Sequence, residues 1–209
     1  MYAFIGCTLS KVEALFRFSL LSVMSQPRLT TDHRRFNNSW YKPGGRIRRV
    51  CWYIIQELFV ASGQPSGFAR IFFLRLFGAR IGKGVVLKPY VRIKYPWKLS
   101  IGDYSWIGER VWIDNLGIVS IGSNCCISQG AMILCGNHDF TKTSFDLMVG
   151  DIVLEDGVWI GARSVVCPGV HCESHSVLSV GSVASSRLEA YGIYRGNPAV
   201  KVKERVIHA

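Results

Sequence analysis

The chain has 209 residues, 49% of them hydrophobic, and its 25 Lys and Arg against 14 Asp and Glu leave a formal net charge of +11. That composition gives one globular unit with a buried core plus decorations, and no apolar run is long enough to predict a membrane-crossing helix. The basic balance favours a polyanionic partner, whether nucleic acid, an acidic membrane face or a phosphorylated cofactor. The seven Cys are scattered apart from the adjacent Cys125 and Cys126, a spacing that excludes a zinc knuckle and reads as reduced thiols in a reducing compartment.

Residues 1–45 read as an extension and arm. Its apolar patch from Ala14 to Met24 is broken by Arg17 and has no clean small-residue cleavage site, so it makes a poor signal peptide; Met24 is an alternative start that would leave residues 1–23 dispensable. Residues 25–45 are polar and basic, with Pro27, Pro43 and Gly44-Gly45, and predict a loop. A helix comes next over residues 46–62, where Val50, Trp52, Ile54, Ile55, Leu58 and Phe59 form a wide apolar face, with Gly63 and Pro65 as its stop. A second runs from about Gly67 to Phe77 and ends at Gly78. Two roles are open to this basic, aromatic pair (residues 46–80). It can cap the open end of a solenoid over residues 81–186, or it can meet lipid at a membrane surface through residues 46–77. The need of a solenoid for end caps favours the first.

Residues 81–186 divide into sixes. Ile81-Gly82-Lys83-Gly84-Val85-Val86, Ile101-Gly102-Asp103-Tyr104-Ser105-Trp106 and Ile160-Gly161-Ala162-Arg163-Ser164-Val165 show the pattern: an aliphatic anchor, Gly or an acid next, a small or β-branched fifth residue. Fifteen anchors fall at 81, 87, 93, 101, 107, 113, 121, 127, 133, 154, 160, 166, 172, 178 and 184, and thirteen are Ile, Leu or Val. A period of six fits neither an α-helix nor an alternating strand. It fits a short flat strand and a corner, with three faces to a triangular coil, the anchor and fifth residue inside, and Gly easing the corner backbone. The expected fold is all-β: a parallel β-helix of about five triangular coils, roughly 24 Å tall, with an N-terminal helical cap and a C-terminal tail over residues 187–209. Cys125 and Cys172 fall at inward places, as small hydrophobes.

The register breaks once. After Ile133 the chain runs through Asn137-His138-Asp139-Phe140, and sixes resume only at Leu154, so residues 135–151 form a protruding loop too long for a corner. His138 is the candidate general base, because an imidazole that titrates near neutrality and leaves the repeat can face a groove. His171 and His175 fall at outward corners and read as solvated, while His33 and His208 lie in flanking segments with no partner in view.

Seven stretches then carry a family resemblance: Arg75 to Gly82, Tyr95-Pro96-Trp97-Lys98-Leu99, Ile127-Ser128-Gln129-Gly130-Ala131, His138-Asp139-Phe140, Val158-Trp159-Ile160-Gly161-Ala162, Pro168-Gly169-Val170 and Gly196-Asn197-Pro198-Ala199. The chain resembles the hexapeptide-repeat, left-handed β-helix acyltransferases, and within them the colanic-acid-type polysaccharide acetyltransferases. The resemblance implies the left hand of the helix, against the usual right-handed crossover. It also implies acetyl transfer from acetyl-CoA to a sugar or glycan hydroxyl, with His138 as base and a backbone N–H holding the oxyanion. It implies that Ala162, Val180 and Ser185 line the pantetheine slot, with Trp159 packed beside it, and that Lys201 and Lys203 meet the nucleotide phosphates of CoA. Asp114 and Asn115 stand where the family contacts its acceptor, and Asp139 either orients the His or binds the acceptor; turn formation would call for the same residue types. The departures, Ala184-Ser185-Ser186-Arg187, Leu178-Ser179-Val180-Gly181 and Val200, touch the CoA contacts most. A homotrimer with sites between subunits is expected, with no nucleic acid, no metal, and a cytoplasmic location that extends to the inner membrane face.

Two other classes use such a prism. A metal hydratase of the γ-carbonic anhydrase type needs three His on zinc across two subunits, and here only His138 is near the groove. A non-catalytic assembly subunit has no use for the His138-Asp139 loop.

Overall fold

A computed structural model describes residues 28–208. The expectations for the signal-like patch, residues 1–23 and the Met24 start lie outside the described residues. From Arg80 onward the chain winds a parallel β-helix with three walls. The first wall stacks Arg80–Ile81, Leu99–Ile101, Val119–Ile121, Ile152–Leu154 and His171–Cys172. The second stacks Val86–Leu87, Trp106–Ile107, Cys126–Ile127, Trp159–Ile160, Val177–Leu178 and Gly192–Gly196. The third stacks Arg92–Ile93, Trp112–Asp114, Met132–Leu134, Val165–Val166 and Val183–Ala184. There are thus five complete coils and a partial sixth.

The anchors read from the sequence stack on one another. Ile81, Ile101, Ile121, Leu154 and Cys172 are in register up the first wall; Leu87, Ile107, Ile127, Ile160 and Leu178 up the second; Ile93, Ile113, Ile133, Val166 and Ala184 up the third. All but Ile81 are buried. Fully removing such a side chain from water stabilises by about 1.5–3 kcal/mol, so the anchor columns are the main source of order. Fifth-place serines are buried too, and their hydroxyls tie coil to coil: Ser105 Oγ donates to Gly122 O at 2.7 Å, and Ser164 Oγ to Ser179 O at 2.7 Å.

Corner chemistry follows the expectation only in part. The backbone turns left-handed at the fourth place of the hexad: Gly84, Gly130, Gly157, Gly169 and Gly181 ease that corner as expected, whereas Tyr104, Arg110, Asn124, Arg163 and His175 take it with side chains present, at φ between 56° and 61°. The second-place glycines serve close approach. A Cβ on Gly102 would lie 2.6 Å from Gly122 C and Ser123 N, the backbone of the next coil.

The helices α1 (Arg46–Ile55, continued by a π-turn over Gln56–Val60) and α2 (Gly67–Leu76) close the N-terminal end. Their side chains occupy the open edge of each wall in turn. Arg75 donates to Ile81 O at 2.8 Å and Arg70 to Leu87 O at 3.3 Å. Trp52 Nε1 donates to Ile93 O at 2.8 Å, and Gln56 Oε1 accepts from Ile93 N at 2.7 Å. A strand edge left open is a template for pairing with another chain, and this cap blunts all three.

The register break is more ordered than a loop. Gly136–His138 and Leu147–Val149 pair antiparallel, with His138 opposite Leu147. The C-terminal segment is also more than a tail, since Gly192–Gly196 adds a sixth strand to the second wall and Ala199–Glu204 pairs antiparallel beside it. A separate small unit comprises described residues 28–36 with 140–145. Within it Asp32 N donates to Thr143 O at 2.8 Å, and the ring of His33 meets that of Phe145 edge-on at 5.3 Å, so His33 has a partner after all.

Candidate active site

Three successive coils bulge at one corner, between the third wall and the first. Coil one does so with the turn Pro96–Lys98, coil two with Leu116 and Gly117, and coil three with the ribbon that carries His138. His138 ends the outgoing strand, half-buried, and its backbone N–H donates to Asn137 Oδ1 at 2.8 Å. Asp139 comes next, with its N–H donating to Asp146 O at 2.8 Å. Asp114 pairs in register with Leu134, directly beneath the point where the ribbon leaves, and forms an ion pair with Lys94 at 2.8 Å. Asp114, Asp139 and His138 therefore share one corner.

Asn115 does not join them. It is fully buried, its Oδ1 accepts from Tyr95 N at 2.9 Å, and its Nδ2 donates to Tyr95 O at 2.6 Å. The amide replaces a missing strand partner where coils one and two bulge, so the expected acceptor contact becomes a structural clamp. Tyr41 Oη and Lys98 Nζ both donate to Leu116 O just above it, closing the column.

A groove of about 590 Å³ runs over the upper part of the second wall, where Trp159, Ala162, Val180 and Lys203 all line it. Trp159 Nε1 donates to Ser128 Oγ at 3.0 Å, which fixes the indole against the wall. Ser128 and Gln129 also line a second groove of about 480 Å³ beside Trp106 and Glu109, so the two troughs meet along the same wall. Arg195 lines the upper groove as well. The hexad pattern stops at Ala184 and so gives no sign of it; the sixth strand is set by Tyr194 stacking on Leu178.

Two expected cofactor residues lie elsewhere. Ser185 is exposed just past the last strand of the third wall and does not line the groove. Lys201 is engaged by carboxylates, Glu204 at 2.7 Å and Glu189 at 2.9 Å, and hydrogen bonds to these two hold its ammonium well above the ordinary lysine range. A register shift between Ile193 and Tyr194 sets Lys203 opposite Ile193 and Lys201 opposite Tyr194, which separates two lysines that simple alternation would group.

The outward histidines are not merely solvated. His171 Nε2 lies 2.7 Å from Glu155 Oε1, and Glu155 also accepts from the hydroxyl and N–H of Ser174; these bonds, Ser174 first, hold its carboxyl below the usual range. His175 stacks flat on Tyr191 at 4.9 Å.

In a three-walled prism the corner between the third and first walls is opposite the second wall. His138 accordingly does not line the groove that Trp159 and Lys203 share. One chain holds the imidazole and the slot on opposite sides. Over 167 residues the chain is 39% identical to a protein of Escherichia coli (strain K12) named as a colanic acid biosynthesis acetyltransferase, WcaF, with 79% of this chain and 92% of that one covered. The chain belongs to the WcaF family of acetyltransferases. No family model matches it. The WcaF-type fold is shared with a hexapeptide-repeat acetyltransferase of Vibrio cholerae O1 biovar eltor, VCA0836, solved with acetyl coenzyme A: TM-score 0.70, 19% identity, 77% of this chain and 88% of that one. It is shared too with a maltose O-acetyltransferase from Clostridium difficile 630, at TM-score 0.68 and 20% identity over 77% of this chain and 88% of that one.

Proposed function

We propose that this WcaF-type chain moves an acetyl group from acetyl-CoA to a hydroxyl of a sugar in polysaccharide biosynthesis, at sites completed between copies of a homotrimer. The observation that carries this reading is the separation of base and slot within one chain. The imidazole stands at one corner and the slot with its basic rim lies on the opposite wall, so a second copy must bring its corner to this groove. The names of the relatives support the chemistry, since WcaF is named for colanic acid biosynthesis and the Clostridium difficile protein for maltose.

In this reading the pantetheine lies along Trp159, Ala162 and Val180, where small side chains admit a narrow chain, and Lys203 with Arg195 meets the phosphates. His138 of the adjoining copy takes the proton of the acceptor hydroxyl as its oxygen attacks the thioester carbonyl carbon. The tetrahedral intermediate collapses with cleavage of the C–S bond, and the imidazolium returns the proton to the CoA thiolate, leaving acetylated sugar and free thiol. Asp114 and Asp139 are the carboxylates that this reading assigns to the acceptor at that corner.

Thiol release from acetyl-CoA with a panel of sugar acceptors tests it. His138→Ala should lower kcat by roughly 10²–10⁴. Val180→Trp, which fills the slot, should abolish turnover on its own; when the two inactive variants are denatured together and refolded, activity should return, because a mixed trimer pairs an intact His138 with an intact slot. No recovery in a mixture shown to contain hybrid trimers, or a monomer that is fully active, would refute the shared site.

A further inference from the structure

Capping and membrane contact are set apart as alternatives in the sequence, but the cap leaves a second face of the same two helices exposed. Residues two apart on a helix point about 200° apart. In α1 and its π-turn the inward residues are Trp52, Gln56 and Val60; in α2 they are Arg70 and Leu74. Offset by two from these stand Val50, Ile54 and Leu58, and Phe68, Phe72 and Leu76, each at least half exposed, with Ile47 continuing the first row. The helices pack together through Phe59 and Phe73, ring centres 4.5 Å apart; the first row lies opposite the capping residues, and the second borders the first coil beside α2.

This surface is apolar and set in positive charge. Residues 46–90 carry eight Arg and Lys, of which all but Arg70 reach the surface, and a single acid, Glu57, which is held by Arg92 at 2.6 Å. Beside α2 a slot of about 570 Å³ has Phe68, Phe72, Leu76 and Val85 among its walls and Arg75 and Lys83 at its edge. An apolar slot with a cationic edge suits an acyl chain under an anionic headgroup. A second copy of the same end would bring like charge against like charge. Among the described residues no helix is long and apolar enough to cross a membrane. We infer that α1 and α2 dock this chain in the plane of an anionic bilayer surface, with the two rows in the acyl boundary and Arg46, Arg80 and Lys83 at the phosphates. This inference is independent of the acyl-transfer reading.

Flotation of the full chain with vesicles tests it, using phosphatidylcholine alone against equal parts phosphatidylcholine and phosphatidylglycerol. The chain should float with the mixed vesicles and be released by high salt. Phe68→Ser with Phe72→Ser should weaken binding roughly tenfold or more, and Arg46→Gln with Arg80→Gln should weaken binding and flatten its salt dependence. Thermal midpoints close to that of the parent show that these exposed substitutions spare the fold, and unchanged turnover of a soluble acceptor separates docking from catalysis. Failure to float with mixed vesicles, or equal binding to phosphatidylcholine alone, overturns the inference. So does self-association in sedimentation velocity that the phenylalanine substitutions abolish, since it would give the face to a second copy.

Discussion

Replacing Asn115 by Ala separates a clamp from a substrate contact. The truncation leaves Tyr95 N and Tyr95 O without the partners now at 2.9 and 2.6 Å, inside a site from which solvent is excluded. Each orphaned buried group costs about 1–3 kcal/mol, so the pair costs about 2–6 kcal/mol. For a chain of this size that is a fall in thermal midpoint of about 4–24 °C. Asp114→Asn, one residue away, is the matched control. Its partner Lys94 is well exposed, so the lost ion pair is worth only about 0–1 kcal/mol, while a carboxylate that meets the acceptor would raise its KM when neutralised. Calorimetry on both variants, with acceptor KM measured well below the midpoint, checks the argument. An Asn115→Ala protein that keeps the parental midpoint while its acceptor KM rises would refute the clamp and restore Asn115 to the substrate.

Gly161→Ala should lower the midpoint and raise the KM for acetyl-CoA together, because its Cβ would sit 2.6 Å from Val180 N; overpacking of about 1–3 kcal/mol corresponds to about 2–12 °C. Lys203→Ala should raise the acetyl-CoA KM roughly tenfold, while Lys201→Ala, whose charge is already held by Glu189 and Glu204, should leave it near the parental value; steady-state kinetics on the two decides. Burial pushes the Cys125 thiol up to about 11 and the Cys172 thiol to about 12. Both pKa values are raised on folding, so the stability they lend is whole below the ordinary thiol range near about 8.5 and is lost as pH climbs towards the folded values. The thermal midpoint should therefore fall between pH 8 and 11, and Cys125→Ser with Cys172→Ser should flatten that fall. Iodoacetamide at pH 8, followed by peptide mass mapping, should find Cys51 labelled and Cys125 and Cys172 spared.

The walls were legible because one rule, an apolar anchor heading each six, is enforced along all three walls by the same interior. Ile101, Ile121 and Leu154 align across a long interruption since their column is a buried apolar one. What escaped was set by contacts between coils rather than along them. Gly102 looks like a corner glycine until the next coil is placed against it, and Asn115 looks like a ligand until Tyr95 fills its amide. Lys201 and Lys203 are equivalent in sequence, and only a register shift in the last ribbon separates them. The helices α1 and α2 mislead differently: their apolar residues read as one face, whereas the inward face mixes Trp52, Val60 and Leu74 with the buried polar Gln56 and Arg70, and the exposed rows are the more uniformly apolar.

The ribbon that bears His138 leaves and rejoins the prism without disturbing it. Ile121 still pairs with Leu154 and Ile133 with Val166, as though the intervening residues were absent. Scaffold and reaction are thus detachable. Cutting out residues 136–149 and bridging the gap with a short linker should give a folded, inert prism, and a lineage could lengthen, shorten or exchange that ribbon to suit new acceptors while the stacked walls stay as they are.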